Sequence, residues 1–137
     1  MAGLLEGHIA AITGSGSGIG RAIAVGYARE GAQVIGLDMN GEAAAETTKA
    51  IDRAGGKADS FVVDVRERDQ CREIAGLIEK NVGPISILVN DAGINRRNAF
   101  TADPVAVIKD CLATNLYGVF NVTHAFLGQL RGNLLGF

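Results

Sequence analysis

The chain has 137 residues, of which 47% are hydrophobic, and thirteen basic and fifteen acidic side chains leave a net charge of −2. This length is enough for one domain with a hydrophobic core. There is no basic cluster and no apolar run of roughly eighteen residues, so we expect neither nucleic-acid binding nor membrane binding.

The N-terminus and the cysteines indicate the cellular compartment of the protein. The stretch MAGLLEGH has neither the basic start nor the long apolar stretch of a secretory signal. Cys71 and Cys111 are far apart and match no metal-binding or redox spacing. We expect reduced thiols, in preference to a disulfide, in a cytoplasmic protein without a metal site.

Four short apolar runs recur along the chain, with helical patterns between them. The runs are His8–Thr13, Gln33–Asp38, Ser60–Asp64 and Ile85–Asn90. Each is mostly apolar rather than alternating, as strands covered on both faces require. Helical periodicity covers Ile19–Glu30, Glu42–Ala54 and Glu67–Asn81.

A longer helical pattern runs from Asp103 to about Arg131, through Ile108, Leu112, Leu116, Val119, Phe120, Thr123 and Leu127. Strands and helices that alternate at this spacing form right-handed crossovers and a parallel sheet. No linker, internal repeat or low-complexity tract divides the chain. We therefore expect one α/β domain over residues 1–137, with an open parallel sheet of four strands and helices on both faces.

The stretch TGSGSGIG, residues 13–20, lies between the first predicted strand and the first predicted helix. Backbone N–H groups and the positive end of a helix face one point there, which suits a pyrophosphate. Gly14 permits the turn, Gly18 lets the ligand approach, and Gly20 lets helix pack on strand. A glycine-rich turn alone is a weak signal, but its position after a first strand favours nucleotide binding.

Asp38 ends the second predicted strand, about twenty residues after the glycine loop, where a carboxylate accepts from both ribose hydroxyls of an adenosine. The same charge would repel a 2′-phosphate, so we predict NAD(H) in preference to NADP(H). The alternative is that Asp38 or Asn40 caps the helix that follows.

Together with three further motifs, these residues resemble the short-chain dehydrogenases/reductases. TGSGSGIG is similar to the TGxxxGIG motif of that family, Asp64-Val65 to its adenine-contacting Asp, and NDAG at residues 90–93 to its NNAG. Asn115 matches the Asn of its catalytic tetrad. The resemblance implies a Rossmann-like fold and a dinucleotide site formed by Gly14, Ser15, Ser17, Gly18, Ile19, Gly20, Asp38, Asp64, Val65, Asn90, Ala92 and Gly93.

Two departures from the family pattern affect the expected chemistry. Asp91 replaces an Asn, so this position accepts hydrogen bonds but no longer donates, and it adds negative charge near the site. No Tyr-x-x-x-Lys occurs in the 137 residues, although that pair supplies the general acid of the family. We expect Asn115 as the catalytic position. Tyr117 lies on another side of the helix, and packing or solvent exposure is favoured over a role as substitute acid.

The resemblance implies an NAD(H)-dependent oxidoreductase that transfers hydride between nicotinamide and a carbonyl or alcohol. The stretch GINRRNAF, residues 93–100, is similar to members that act on sugar keto-acids, such as gluconate 5-dehydrogenases and keto-deoxygluconate dehydrogenases. Arg96 and Arg97 either bind a substrate carboxylate or, as the favoured interpretation, are solvated loop residues. The alternatives are a non-catalytic NAD-binding module and an inactive fragment of a longer dehydrogenase.

The family continues with a fifth strand where this sequence stops, so we expect a truncated domain. Its fourth strand would be an exposed apolar edge, and its long C-terminal helix would lack part of its cover. We therefore expect a homo-oligomer formed through that edge or that helix.

Overall fold

The computed structural model describes residues 2–96 and 104–132. The strands are β1 (Ile9–Thr13), β2 (Gln33–Asp38), β3 (Lys57–Val62) and β4 (Ile87–Val89). The helices are α1 (Gly18–Arg29), α2 (Gly41–Arg53), α3 (Arg68–Asn81), α4 (Pro104–Leu112) and α5 (Gly118–Gly132), and a π-helical turn, Ala113–Tyr117, joins α4 to α5.

The strands form one parallel sheet in the order β3-β2-β1-β4. The chain therefore crosses from β3 at one edge, past β2 and β1, to β4 on the other side. In such a sheet the strand order reverses between β1 and β4, and ligands bind outside the carboxyl ends of the strands near that point. The predicted α/β fold with a Rossmann-like open parallel sheet is confirmed.

Helices cover both faces of this sheet. On one face, Ala11 and Ile35 pack with Ile78 of α3 and Phe126 of α5. On the other face, buried residues of β1, β2, α1 and α2 form a second cluster, namely Ile12, Val34, Ala24 and Ile51. Neighbouring residues of one strand thus enter different clusters, which explains why the strand sequences are apolar throughout.

The predicted bounds of the third strand were wrong. The strand begins at Lys57 rather than Ser60 and ends at Val62 rather than Asp64. Lys57 pairs with Gln33 and Val62 with Asp38, so β3 follows the full length of β2. β3 is the edge strand, and its residues Lys57 and Asp59 are exposed. Because the strand begins with polar residues, its start does not appear as an apolar run in the sequence. Asp64 consequently lies in the loop after β3.

The long helix differs from the prediction in continuity and in its packing side. The π-helical turn divides it, and its predicted first residue, Asp103, lies outside the described residues. The apolar row of the sequence pattern is largely exposed, with Leu112 at 44%, Phe120 at 66% and Leu127 at 43%. α5 packs on the sheet instead through Val122 and Phe126, which are each 1% exposed.

Gln129 joins three elements inside the core. It is 6% exposed, its Oε1 accepts from the backbone N–H of Ile85 at 3.1 Å, and its Nε2 donates to the carbonyl of Ala75 at 2.9 Å. The side chain therefore ties α5 both to α3 and to the segment that leads into β4. Because both ends of the amide are satisfied, its burial carries no desolvation penalty of an unpaired group.

Ser15, in the loop that follows β1, has a buried side chain. Its side chain is 1% exposed, and within residues 2–96 and 104–132 its Oγ is the one buried side-chain polar atom without a hydrogen-bond partner. The hydroxyl faces Gly36 of β2, where an added Cβ would lie 2.6 Å from it. The backbone carbonyl of Ser15, in contrast, accepts from Thr47 Oγ1 at 2.9 Å.

We predict that Ser15→Ala stabilises the protein, because it removes a buried hydroxyl that has no partner. The expected gain is about 1 kcal/mol in the free energy of unfolding, or roughly 4 °C in Tm. Thr47→Val, which removes a buried hydrogen bond from the same loop, should lower Tm in the same thermal-unfolding experiment. Equal destabilisation by both changes would contradict the prediction.

Candidate dinucleotide site

A cleft of about 290 Å3 opens at the carboxyl end of the sheet. Its lining comes from the end of β2, the loops after all four strands, α4 and the π-helical turn. Seven residues of the predicted dinucleotide site line it: Gly14, Ser17, Asp38, Asp64, Val65, Ala92 and Gly93. The other five, Ser15, Gly18, Ile19, Gly20 and Asn90, are not among its lining residues. The sheet thus brings together segments that are up to about eighty residues apart in sequence.

The glycine loop turns from β1 into α1 through two residues with positive φ, Gly14 at 69° and Gly18 at 53°. An added Cβ on Gly20 would collide with the carbonyl oxygen of Gly14, so only glycine lets α1 pack this closely on the loop. An added Cβ on Gly18 would meet nothing within 4 Å. Gly18 therefore borders open space at the start of α1.

The first turn of α1 has unused hydrogen-bond donors. Ser17 is the N-cap residue, and its side chain makes no capping hydrogen bond. No acidic side chain of α1 itself lies in this turn. Backbone N–H groups at the positive end of a twelve-residue helix are a suitable partner for a phosphate group.

Asp38 extends from the end of β2 toward this loop. Its Oδ2 accepts from the backbone N–H of Gly16 at 2.9 Å, and its Oδ1 accepts from the N–H of Asn40 at 2.9 Å. Of the two residues considered as caps of α2, Asn40 is the one that caps it, since its Oδ1 accepts from the N–H of Ala43 at 3.1 Å. Asp38 itself lines the cleft.

Thr13 joins the glycine loop to the NDAG segment, a role that the sequence analysis missed. Its hydroxyl accepts from the N–H groups of Asp91 and Ala92, both at 3.0 Å, and donates to the carbonyl of Val89 at 3.4 Å. Thr13 is 1% exposed. The sequence signal that could have indicated this role is the position of Thr13 as the first residue of TGSGSGIG.

The carboxylate of Asp91 lies beside the glycine loop. Its Oδ2 would be 3.1 Å from a Cβ on Gly14 and 2.7 Å from a Cβ on Gly20. This negative charge therefore sits next to the start of α1, the end of the helix that attracts anions.

Asn115 holds the loop after β4 in place. Its Oδ1 accepts from the N–H of Ile94 at 2.8 Å, and its Nδ2 donates to the carbonyl of the same residue at 2.8 Å. Asn90 acts similarly at the end of β4, since its Nδ2 donates to Thr123 Oγ1 at 3.0 Å. Tyr117 is 61% exposed and does not line the cleft.

Four charged side chains form a network at the rim of the cleft. Arg66 contacts Asp64 at 2.7 Å and Asp110 at 3.3 Å, and Arg96 contacts Asp110 at 3.0 Å. The side-chain hydrogen bond from Arg66 lowers the pKa of Asp64, and the same bond raises the pKa of Arg66. Arg96 is thus paired with Asp110 rather than free, while Arg97 lies outside the described residues.

Residues 8–135 match the family described as short chain dehydrogenase. The chain belongs to this family. It is 39% identical over 119 residues to the 3-oxoacyl-(acyl-carrier-protein) reductase of Thermotoga maritima, covering 87% of this chain and 48% of that protein. It is 37% identical to the 5-keto-D-gluconate 5-reductase of Escherichia coli K12, covering 88% and 48%.

Solved structures of the family have the same fold. A gluconate 5-dehydrogenase from Burkholderia cenocepacia in complex with NADP and tartrate is 42% identical, with a TM-score of 0.84 over 90% of this chain and 49% of that one. The present chain therefore spans about half the length of the relatives that it matches.

No cluster of three or more His, Cys, Asp or Glu side chains that could hold a metal ion occurs in residues 2–96 and 104–132. In the same ranges, no helix has the length and apolar character needed to span a bilayer.

Cys71 and Cys111 are both free cysteines. Cys71, at the start of α3, is 2% exposed and lies beneath the loop after β3. Its Sγ is 3.8 Å from the carbonyl oxygens of both Asp64 and Val65. Burial, with the nearby charge of Asp64 as a smaller cause, raises the pKa of the Cys71 thiol to about 11.

We predict that Cys71 resists alkylation by iodoacetamide at pH 8, because only about one molecule in a thousand would carry the thiolate three pH units below its pKa. Partly exposed Cys111 should react under the same conditions and serves as the internal control. Peptide mass spectrometry before and after denaturation measures both sites. Labelling of native Cys71 at the rate of Cys111 would contradict the prediction.

Proposed function

We propose that this chain supplies the dinucleotide-binding part of an NAD(H)-dependent oxidoreductase. The observation that carries the proposal is the meeting of two features at one cleft. Ser17, the N-cap residue of α1, lines the cleft, and the uncapped first turn of α1 beside it offers N–H donors to a pyrophosphate. The Asp38 carboxylate, which also lines the cleft, offers acceptors to a ribose.

Asp38 also supports a preference for NAD(H) over NADP(H), since a carboxylate in the ribose position would repel a 2′-phosphate. The arginines at the rim do not neutralise the Asp38 carboxylate, because each is paired with another carboxylate. Arg66 is paired with Asp64 and Asp110, and Arg96 is paired with Asp110. The NADP in the similar Burkholderia structure is the observation that weighs against the preference.

The proposed reaction is hydride transfer between C4 of the nicotinamide and a carbonyl or alcohol. No Tyr-x-x-x-Lys occurs in the 137 residues, so these residues do not themselves supply that pair as the proton donor. Asn115 would act by holding the Ile94 backbone at the cleft. Tyr117 is a weaker candidate for the acid, because it is 61% exposed and outside the cleft lining.

Two of the relatives support a sugar keto-acid as the substrate class, while the Thermotoga relative, a 3-oxoacyl-(acyl-carrier-protein) reductase, does not. One of them is a 5-keto-D-gluconate 5-reductase, and another is a gluconate 5-dehydrogenase. Arg96 lines the cleft and would have to exchange its ion pair with Asp110 for a substrate carboxylate.

A second candidate function is NAD binding without turnover, as a non-catalytic module or an inactive fragment. The observation in its favour is that these 137 residues, about half the length of the relatives, contain no Tyr-x-x-x-Lys pair of their own. An unassisted phenol has a pKa of about 10 and is a poor acid at neutral pH.

We also propose a homo-oligomer in the cytoplasm. The outer edge of β4 has no partner strand in the described sheet. Leu112 of α4, Leu116 of the π-helical turn and Phe120 of α5 expose further apolar surface. Such surface favours self-association. Free thiols at Cys71 and Cys111 fit a reducing compartment.

The proposed function is tested by titrating the purified chain with NADH and NADPH, followed by a panel of sugar keto-acids and simple ketones. We expect saturable NADH binding that is tighter than NADPH binding. Loss of the nicotinamide absorbance that depends on the added carbonyl would identify an enzyme, and binding without loss would identify the non-catalytic module. The absence of binding would overturn the proposal.

We predict that Gly18→Val abolishes NADH binding in this titration, because its side chain would enter the open space at the start of α1. Gly55→Val is the matched control. Gly55 also has a positive φ, 86°, with nothing within 4 Å of an added Cβ, but it follows α2, away from the cleft. Equal loss of binding in both variants would attribute the effect to backbone strain instead.

We predict that Asp91→Asn tightens NADH binding about threefold at low salt, because it removes a negative charge beside the expected pyrophosphate. The gain should shrink as salt screens the charge. Asp52→Asn, the same change on an exposed residue of α2, should have no effect. Weaker binding by Asp91→Asn would show that the carboxylate supports the loop rather than opposing the ligand.

A further inference from the structure

The hydrogen bond between Asp38 and Gly16 gives Asp38 a second role in addition to ribose recognition. Gly16 is buried in the glycine loop, and its N–H donates to Asp38 Oδ2 at 2.9 Å. A buried backbone N–H that loses its acceptor destabilises the conformation that contains it. The conformation of this loop therefore depends on the carboxylate.

The surroundings of Gly16 leave little room for another arrangement. An added Cβ would lie 2.7 Å from the Cβ of Ala43 and 2.9 Å from Asp38 Oδ2. The preceding residue is tied to α2 as well, since Thr47 Oγ1 donates to the carbonyl of Ser15 at 2.9 Å. Two consecutive residues of the loop are thus held from the side of β2 and α2.

The other oxygen of Asp38 accepts from the N–H of Asn40 at 2.9 Å. Asn40 in turn caps α2 through Ala43. The carboxylate therefore connects the loop after β1 with the start of α2. A charged acceptor bound by two backbone donors is well suited to hold both segments in one relative position.

We infer that Asp38 is a positioning residue for the glycine loop, and that it holds the loop in its ligand-binding shape before any dinucleotide arrives. The inference rests on the proposed function for the identity of the ligand. It implies that replacing Asp38 weakens the binding of every dinucleotide, including one with no ribose hydroxyls for Asp38 to contact. Removal of the negative charge would then not by itself produce good NADPH binding.

The first test uses the chain without a ligand. Hydrogen exchange of the Gly16 amide is followed by NMR in the wild type, Asp38→Ala and Asp38→Asn. We expect Asp38→Ala to accelerate exchange at Gly16 about tenfold, the change that corresponds to loss of one hydrogen bond of typical net strength. Asp38→Asn retains an acceptor without the charge and should lie between the two.

Asp59→Ala is the matched control, since Asp59 is an exposed carboxylate on the adjacent strand β3. It should leave Gly16 exchange unchanged. If Asp38→Ala does not fold, the comparison of Asp38→Asn with the wild type still decides the question. Unchanged exchange at Gly16 in a folded Asp38 variant would overturn the inference.

The second test separates the two roles of Asp38 by ligand chemistry. NADH is compared with an analogue whose adenosine lacks the 2′- and 3′-hydroxyls. We expect Asp38→Ala to weaken binding of the analogue by about threefold to tenfold as well, whereas a pure ribose contact would leave analogue binding unchanged and overturn the inference. If the wild type bound no dinucleotide, the proposed function would fail, and Gly16 exchange would still decide the role of Asp38.

Discussion

The Thr13 hydroxyl is the contact on which the geometry of the cleft depends. It accepts from two consecutive N–H groups, those of Asp91 and Ala92, and donates to the carbonyl of Val89. It thereby fixes the ends of β1 and β4 at the point where the strand order reverses. Because Thr13 is 1% exposed, these bonds are shielded from competition by water. The glycine loop and the NDAG segment consequently face the same space.

Polar side chains of other elements around the cleft likewise hold loops in place by hydrogen bonds to their backbone. Asn115 holds the loop after β4 through Ile94, and Asn121 of α5 donates to the carbonyl of Val65 at 2.9 Å in the loop after β3. Each loop is thus fixed by a residue from a different element. The apolar sheet positions the strands, while single amide and hydroxyl groups set the loops where a ligand would bind.

The elements that depend on local pattern could be predicted from the sequence. The apolar runs, the glycine loop and the parallel sheet were recognisable, because period and turn chemistry are local properties. The start of β3 at Lys57 could not be predicted this way, since it depends on pairing with Gln33 of a distant strand. The same limit applies to Gln129, whose partners Ile85 and Ala75 are 44 and 54 residues away. Even the bond from Asp38 to Gly16 spans 22 residues.

The π-helical turn between α4 and α5 has a consequence for the tolerated length of the chain. A π turn accommodates one residue more than an α-helical turn, and each residue of a helix advances the direction of its side chain by about 100°. Asp110 of α4 faces Arg66 and Arg96, while Phe126 of α5 faces the sheet. Deleting one residue from 113–117 would therefore be absorbed by conversion of the π turn to an α-helical turn, whereas a deletion within α4 or α5 would rotate these two faces against each other. The π turn, which contains no buried residue, is therefore the part of this helix in which the loss of one residue disturbs the angular phase least.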